Sequence, residues 1–257
     1  METSARIKHK LSDTIVLTGR SMRHSLNLDT LLTATATPIM MLLMFVYVFG
    51  GAMDTGATKN ITYMVPGIIL MTITTGSVYT AIRVNNDITS GIIDRFHSMP
   101  IARSSILTGH VMTSVVFNAF SSLLVLIVAL LMGFSSDAGF IAWILVIGTL
   151  LLFTLAMTWI SAFFGILANS VEGASAFSYP LLFLLFVSSA FVPTESMPGI
   201  VRSFATHQPM TPLIETVRSL LMTESVGNSA LIATSWWMGI LLISSIAAIQ
   251  IYKRKTG

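Results

Sequence analysis

Residues 138–171, AGFIAWILVIGTLLLFTLAMTWISAFFGILANSV, contain no Asp, Glu, Lys or Arg. A hydrocarbon layer about 30 Å thick is crossed by about 20 helical residues, and lipid offers the backbone no hydrogen-bond partner. A stretch of this kind therefore folds as a membrane-spanning helix. The same test carried outward in both directions finds five more charge-free runs, at 30–53, 60–82, 104–136, 173–194 and 225–252. Six spans are expected, and the runs at 104–136 and 138–171 are longer than one crossing needs, which implies tilt or projection beyond the bilayer.

Composition agrees with this reading. Of the 257 residues, 54% are apolar and only 10% charged, with a mean hydropathy of +0.82. Water-soluble domains carry roughly a quarter charged residues, so this chain uses lipid as much of its solvent. The absence of Cys excludes disulfide scaffolds and thiolate zinc sites. The first 29 residues hold Arg6, Lys8, Lys10, Arg20 and Arg23 without a short apolar core before a cleavage site, so no cleavable signal is expected.

Orientation follows from Lys and Arg, which resist translocation. Eleven of the fourteen lie in the N-terminal segment, the 83–103 loop and the C-terminal tail, whereas Lys59, Arg202 and Arg218 fall on the other side. Both termini are expected in the cytoplasm, with Lys253, Arg254 and Lys255 anchoring the last span.

Three segments outside the spans are patterned. Residues 11–27 place Leu11, Ile15, Met22 and Leu26 on one helical face, as in an interfacial helix, although Val16 and Leu17 interrupt the polar face and leave an ordinary basic tail as the alternative. The loop 83–103 reads as a short amphipathic helix: Ile88, Ile92, Phe96 and Met99 share a face, Asp87 is its expected N-cap, and Pro100 stops it. It suits either the headgroup surface or a docking partner. Between spans five and six, Ile200, Val201 and Phe204 suggest one short helix. A second is expected to follow with Thr211 as cap, Pro212 at its first position, an apolar stripe of Leu213, Val217, Leu220 and Leu221, and Glu215 and Arg218 facing elsewhere. This pair of helices either dips into the outer leaflet or caps the mouth of a pathway.

The chemistry that is missing narrows the function. No phosphate-binding loop, H-E-x-x-H or Gly-rich nucleotide fingerprint occurs, so no catalytic residue, metal site or nucleotide site is expected in this chain. The charged residues stand at or beyond the span ends, without the midplane acids of ion-coupled transporters. Energy for any transport must then come from another chain. Inside the spans, His110 and Asn118 suit helix packing, through a neighbouring helix or the backbone, with contact to a substrate as the alternative. Span two is rich in hydroxyls, at Thr72, Thr74, Thr75, Ser77 and Tyr79, and span five repeats aromatics at Tyr179, Phe183 and Phe186. Both groups fit packing or lipid contact, and both fit the lining of a pathway for an amphiphilic aromatic molecule.

Several long stretches resemble a known family: PIMMLLMFVYVFGGA at 38–52, YMVPGIILM at 63–71, NDITSGIIDRFHSMPIARSSILTGH at 86–110 and SSAFVPTESMPGIVRSFATHQPMTPLIETVRSLL at 188–221. Over nearly its whole length the chain resembles the membrane subunits of type-2 ABC exporters, most closely the daunorubicin/doxorubicin-resistance type of permease. The family pattern of a Gly, an acid–Arg pair and a Pro in the first cytoplasmic loop falls on Gly91, Asp94, Arg95 and Pro100.

The resemblance implies an all-α polytopic fold forming one permease domain over 1–257. Residues 1–28 are its cytoplasmic or interfacial segment, and 29–253 are its six-helix membrane domain, with an outer helical segment at 195–224. It implies a dimer of permeases with two separate ATPase subunits, which bind ATP and magnesium, in a bacterial inner or plasma membrane. The 83–103 helix would be the coupling helix, using Asp87, Gly91, Asp94, Arg95, Phe96 and Pro100, with a second contact around Glu172. Thr75, Tyr79, Phe183 and Phe186 would line the pathway, and the cargo would be a hydrophobic or amphiphilic drug-like molecule. A lipid, lipid-linked glycan or peptide is the alternative cargo. A channel or scaffold needing no ATPase is the alternative of another class.

Overall fold

The computed structural model describes residues 28–49, 60–90 and 103–256. The expected interfacial helix at 11–27 and the residues Gly91, Asp94, Arg95, Phe96 and Pro100 lie outside them.

Among the described residues all regular structure is helical. Helix α1 (Leu28–Leu43) contains Pro38 and passes into a π-helical turn at Met44–Val48. Helices α2 (Asn60–Thr89), α3 (Arg103–Leu131) and α4 (Phe140–Leu167) follow. Last in the chain is α9 (Ser229–Thr256). These five elements are long and apolar enough to cross a membrane, and each falls on one of the charge-free runs.

The run at 173–194 differs, because it is not one helix. It forms α5 (Val171–Ser175) and α6 (Ser178–Phe186), followed by turns. Pro180 has no N–H to offer the carbonyl of Ala176, so the ladder of α5 cannot continue into α6, and the break falls at Ala176–Phe177. The outer segment contains a 3₁₀ turn at Thr194–Ser196, then α7 (Gly199–His207) and α8 (Met210–Leu221).

Helix α2 occupies the centre and packs against α1, α3, α4, α5, α6 and α8. Its Ile68, Leu70 and Ile73 share a core with Phe153 and Met157 of α4 and with Ile214 and Val217 of α8. Helix α9 packs along α4, where Trp237 meets Phe153 edge-on at 4.5 Å. Close approach is set by small residues: a Cβ on Gly165 of α4 would stand 2.6 Å from the Ala81 carbonyl oxygen of α2. Outward-facing Leu130, Ile141, Leu145 and Ile243 are exposed, the surface that lipid would cover.

The hydroxyls of α2 are satisfied within the helix. Thr72, Thr74 and Ser77 donate to the carbonyls of Ile68, Leu70 and Ile73 at 2.8, 2.8 and 2.7 Å. This hides three hydroxyls without needing water or a ligand.

Two helices end in the same backbone arrangement. After α3 the Phe134 and Gly133 amides donate to the Ala129 and Leu130 carbonyls, with Gly133 at φ 97°. After α8 the Glu224 amide donates to the Ser219 carbonyl, and the left-handed position is taken by Thr223 at φ 56°. A β-branched residue is strained there, whereas Gly is not.

Candidate functional site

At the end of α2 nearest residues 91–102, the helix runs on past residue 82 because no Gly or Pro stands between Ser77 and Ser90. Asp87, expected as the N-cap of a separate helix, therefore sits inside the last turn of α2. Its carboxylate instead meets His110 of α3, with Oδ2 3.0 Å from Nε2. One turn earlier, half-buried Arg83 donates from Nη2 to Thr80 Oγ1 at 3.1 Å and lies 6.0 Å from the centroid of Phe117. Asn85 is buried and donates both to the Gly165 carbonyl at 3.2 Å and to the Ala168 carbonyl at 2.7 Å, closing the C-terminal end of α4. Lys255 Nζ takes the Ile166 carbonyl at 2.7 Å. A cation at a helix C-terminus is favourably placed for the open carbonyls and the dipole. On the neighbouring turn, Glu172 is exposed, and its own backbone amide and the Ser170 hydroxyl hold its carboxyl below the usual range.

These contacts form a collar at this end. It joins α2, α3, α4 and α9 around the point where the chain leaves for residues 91–102.

Of the four residues expected to line a pathway, Thr75 and Tyr79 stand on α2 and Phe183 and Phe186 on α6. Thr75 is half-buried and spends its hydroxyl on the Met71 and Thr72 carbonyls at 3.0 and 3.1 Å. Tyr79 turns its ring toward Phe117 of α3, 5.7 Å away. Phe183 and Phe186 stand on the exposed face of α6 together with Tyr179. Phe186 stacks on Phe191, which stacks on Phe45 of the π-helical turn, at centroid distances of 5.3 and 4.6 Å. The stripe faces out of the single chain. His110 and Asn118 join helices or their own backbone, as expected for packing: the Asn118 amide donates to the Ser114 carbonyl at 3.0 Å, and Thr158 of α4 donates to the Ser114 hydroxyl at 3.2 Å.

The opposite end holds the residues that the sequence pattern misplaced. Helix α8 is buried along nearly its whole length and packs on α9, α4 and α2, so it caps the bundle from inside. Helix α7 leaves Ile200 and Phe204 exposed. Thr211 lies inside α8, whose cap position is Pro209, and the first amide of the helix, at Met210, donates to Gln208 Oε1 at 3.0 Å. The Gln208 Nε2 donates to the Leu184 and Val187 carbonyls at 3.1 and 3.4 Å, answering the frayed end of α6. Trp237 Nε1 of α9 donates to the Pro209 carbonyl at 3.1 Å.

Arg218, expected to face away from the apolar stripe, is 8% exposed. Its Nε and Nη2 donate to the Tyr63 carbonyl of α2 at 3.2 and 3.1 Å, Nη2 also donates to the Ser189 carbonyl, and the guanidinium lies 3.5 Å from the Tyr63 ring centroid. Burial pulls its pKa below the ordinary arginine value, opposed by Tyr63 and Glu215. Half-buried Glu215, which accepts from Ser229 at 3.4 Å, has its carboxyl pushed up by burial, with Arg218 opposing. Partners of this kind are backbone carbonyls, which no side-chain pattern announces.

With this geometry in view, the comparisons are specific. The family model for ABC-2 type transporters matches residues 13–222. The chain is 29% identical over 216 residues to the daunorubicin resistance ABC transporter permease protein DrrB1 of Streptomyces coeruleorubidus, covering 84% of this chain and 74% of that protein. It is 25% identical over 249 residues to the probable doxorubicin resistance ABC transporter permease protein DrrC of Mycobacterium tuberculosis, covering 95% of this chain and 89% of that protein.

Proposed function

The chain belongs to the ABC-2 type transporter family, and from that premise we propose that it is the non-catalytic membrane subunit of an ATP-driven exporter of hydrophobic or amphiphilic, drug-like molecules. Two copies form the pathway, and two separate subunits on the cytoplasmic side bind ATP and magnesium and hydrolyse the nucleotide. Both termini are cytoplasmic, so the collar around Asp87 and His110 faces those subunits and α7 and α8 face outward. Gly91, Asp94, Arg95, Phe96 and Pro100 dock on the ATPase, and Asp87 holds the segment they belong to. The exposed Tyr179, Phe183 and Phe186 of α6 meet the second copy and the cargo.

The observation that carries this reading is the extent of the family match, which runs from residue 13 to the end of α8 and takes in the whole 91–102 segment. The cargo class is supported by two relatives named for resistance to daunorubicin and doxorubicin, and by spans without midplane charge. In mechanism the permease contributes differential packing: ATP-driven closure of the partner subunits pushes the 91–102 segments, and the collar passes that motion to α2 and α3 together.

The test is to co-express the chain with its neighbouring genes, purify the complex in mild detergent and weigh it intact. ATP hydrolysis and ATP-dependent accumulation of daunorubicin in inverted vesicles are then measured. A complex of two permeases and two ATPases that accumulates the drug is expected. An ATPase-free homo-oligomer would replace this reading with the channel or scaffold, and an active complex that carries a glycan, lipid or peptide instead would replace the cargo.

A further inference from the structure

Several side chains hold α8 in place: Ser136 Oγ donates to the Leu221 carbonyl at 2.7 Å and Thr211 Oγ1 accepts from the Ser189 amide at 3.4 Å, while Gln208, Trp237 and Arg218 do different work. Gln208 ties its start to the end of α6, and Trp237 ties that same start to α9. Arg218 alone, in its last turn, donates to two segments at once: the first turn of α2 at Tyr63 and the chain just beyond α6 at Ser189. Those two segments are also pressed together one turn further on, where a Cβ on Gly67 of α2 would lie 2.7 Å from Ala190 Cβ and 3.0 Å from its carbonyl oxygen. The guanidinium therefore spans the seam between α2 and the end of α6.

An apolar side chain would fill this site at no desolvation cost, and replacing buried charge by well-packed hydrophobes is often neutral or stabilising. What a guanidinium adds is reversibility. It bonds carbonyls while the seam is shut and bonds water when the seam parts, whereas an apolar plug would be exposed. Glu215 lies three residues back on the same helix, so a counter-charge travels with Arg218 if α8 moves.

Resting on the export reading above, we infer that Arg218 is a positioning residue for transport: the latch that holds α2 and the end of α6 together within each copy, and so keeps the outer end of the pathway between the two copies shut until the cycle opens it. Loss of the latch leaves the outer end open, so small solutes cross whenever the inner end is also open. Charge-assisted hydrogen bonds of this kind shift an open–shut equilibrium by roughly ten- to a hundred-fold.

The experiment uses the complete complex of permease and ATPase in proteoliposomes loaded with carboxyfluorescein, an anion that does not cross bilayers. Wild type is compared with Arg218→Gln and Arg218→Lys for dye leakage without ATP, ATP-driven daunorubicin transport and thermal midpoint. The expected result is roughly ten-fold or greater leakage for R218Q, intermediate leakage for R218K, and intact assembly with retained ATP hydrolysis. Wild-type leakage from an assembled R218Q complex overturns the latch. If R218Q fails to assemble, R218K decides alone, because it keeps the charge and loses the forked geometry; wild-type leakage there is equally fatal. The two readings fail separately. A wild type without ATP-driven transport removes the exporter, while raised leakage in the variants would still show a latch.

Discussion

His110 and Asp87 face each other across the gap between α2 and α3, with imidazole Nε2 3.0 Å from carboxylate Oδ2 and the ring nine-tenths buried. This contact closes the neck from which the chain departs at residue 90 and returns at residue 103. Asp87→Ala and His110→Ala should each lower stability by about 1–3 kcal/mol, since either leaves its partner unanswered. The double variant should lose less than the sum by about 1 kcal/mol. Thermal midpoints of the four proteins in one detergent give the cycle, and strict additivity would mean that the pair does not interact.

The crossing of α2 and α4 rests on backbone contact, so side-chain adjustment cannot relieve an added methyl group. Gly165→Val, whose Cβ would press on the Ala81 carbonyl, should destabilise by at least about 2 kcal/mol. Asn85→Leu removes both donors to the end of α4 and should cost about 1–3 kcal/mol. Unchanged melting of either variant would show that the two helices are not clamped here.

Thr223 occupies a left-handed position that Gly fills after α3. Thr223→Gly should raise stability by about 1 kcal/mol, because the strain removed exceeds the added chain entropy. A lower melting temperature would contradict the assignment of strain to this residue.

Burial raises the pKa of Glu215 above the ordinary carboxylate value of 4.5. The unfolded chain then loses this proton first as pH rises, so Glu215 removes stability from pH 4.5 upward until its folded pKa is passed, and the loss is constant beyond. Glu215→Gln should flatten that fall. Melting curves between pH 4 and pH 8 would check it, and parallel profiles for the two proteins would refute it.

Phe183 is 61% exposed on α6. Phe183→Ala should change the stability of the single chain by no more than about 0.5 kcal/mol, yet alter transport of an aromatic amphiphile or the pairing of two copies. Normal values for transport and for the mass of the complex would remove Phe183 from the pathway and from the interface.

Much of the fold is legible from one physical fact, that lipid accepts no unpaired charge or backbone group. Five charge-free runs became long helices for that reason. The run at 173–194 is interrupted at Ala176–Phe177, because absence of charge reports the solvent and not the continuity of a helix, and Pro180 acts locally. Helices α7 and α8 were visible in their apolar spacing. The role of Arg218 was not, since its acceptors are the carbonyls of Tyr63 and Ser189, which every residue type possesses. Asp87 was recognised as a residue of interest but given a local partner, whereas its actual partner lies 23 positions away. Short-range rules capture caps and faces, and pairings between helices lie beyond them.

The bond from Lys255 to the Ile166 carbonyl joins residues 89 positions apart, and it bears on how the protein is made. Helix α4 emerges from the ribosome long before α9, the helix against which it packs. At synthesis rates of about 5–20 residues per second, α4 waits several seconds with that flank bare and the Ile166 carbonyl without Lys255. Slow or interrupted translation within this interval prolongs the period in which that flank faces lipid instead of α9. The contact between α4 and α9 is therefore among the last to form, when most of the molecule already exists.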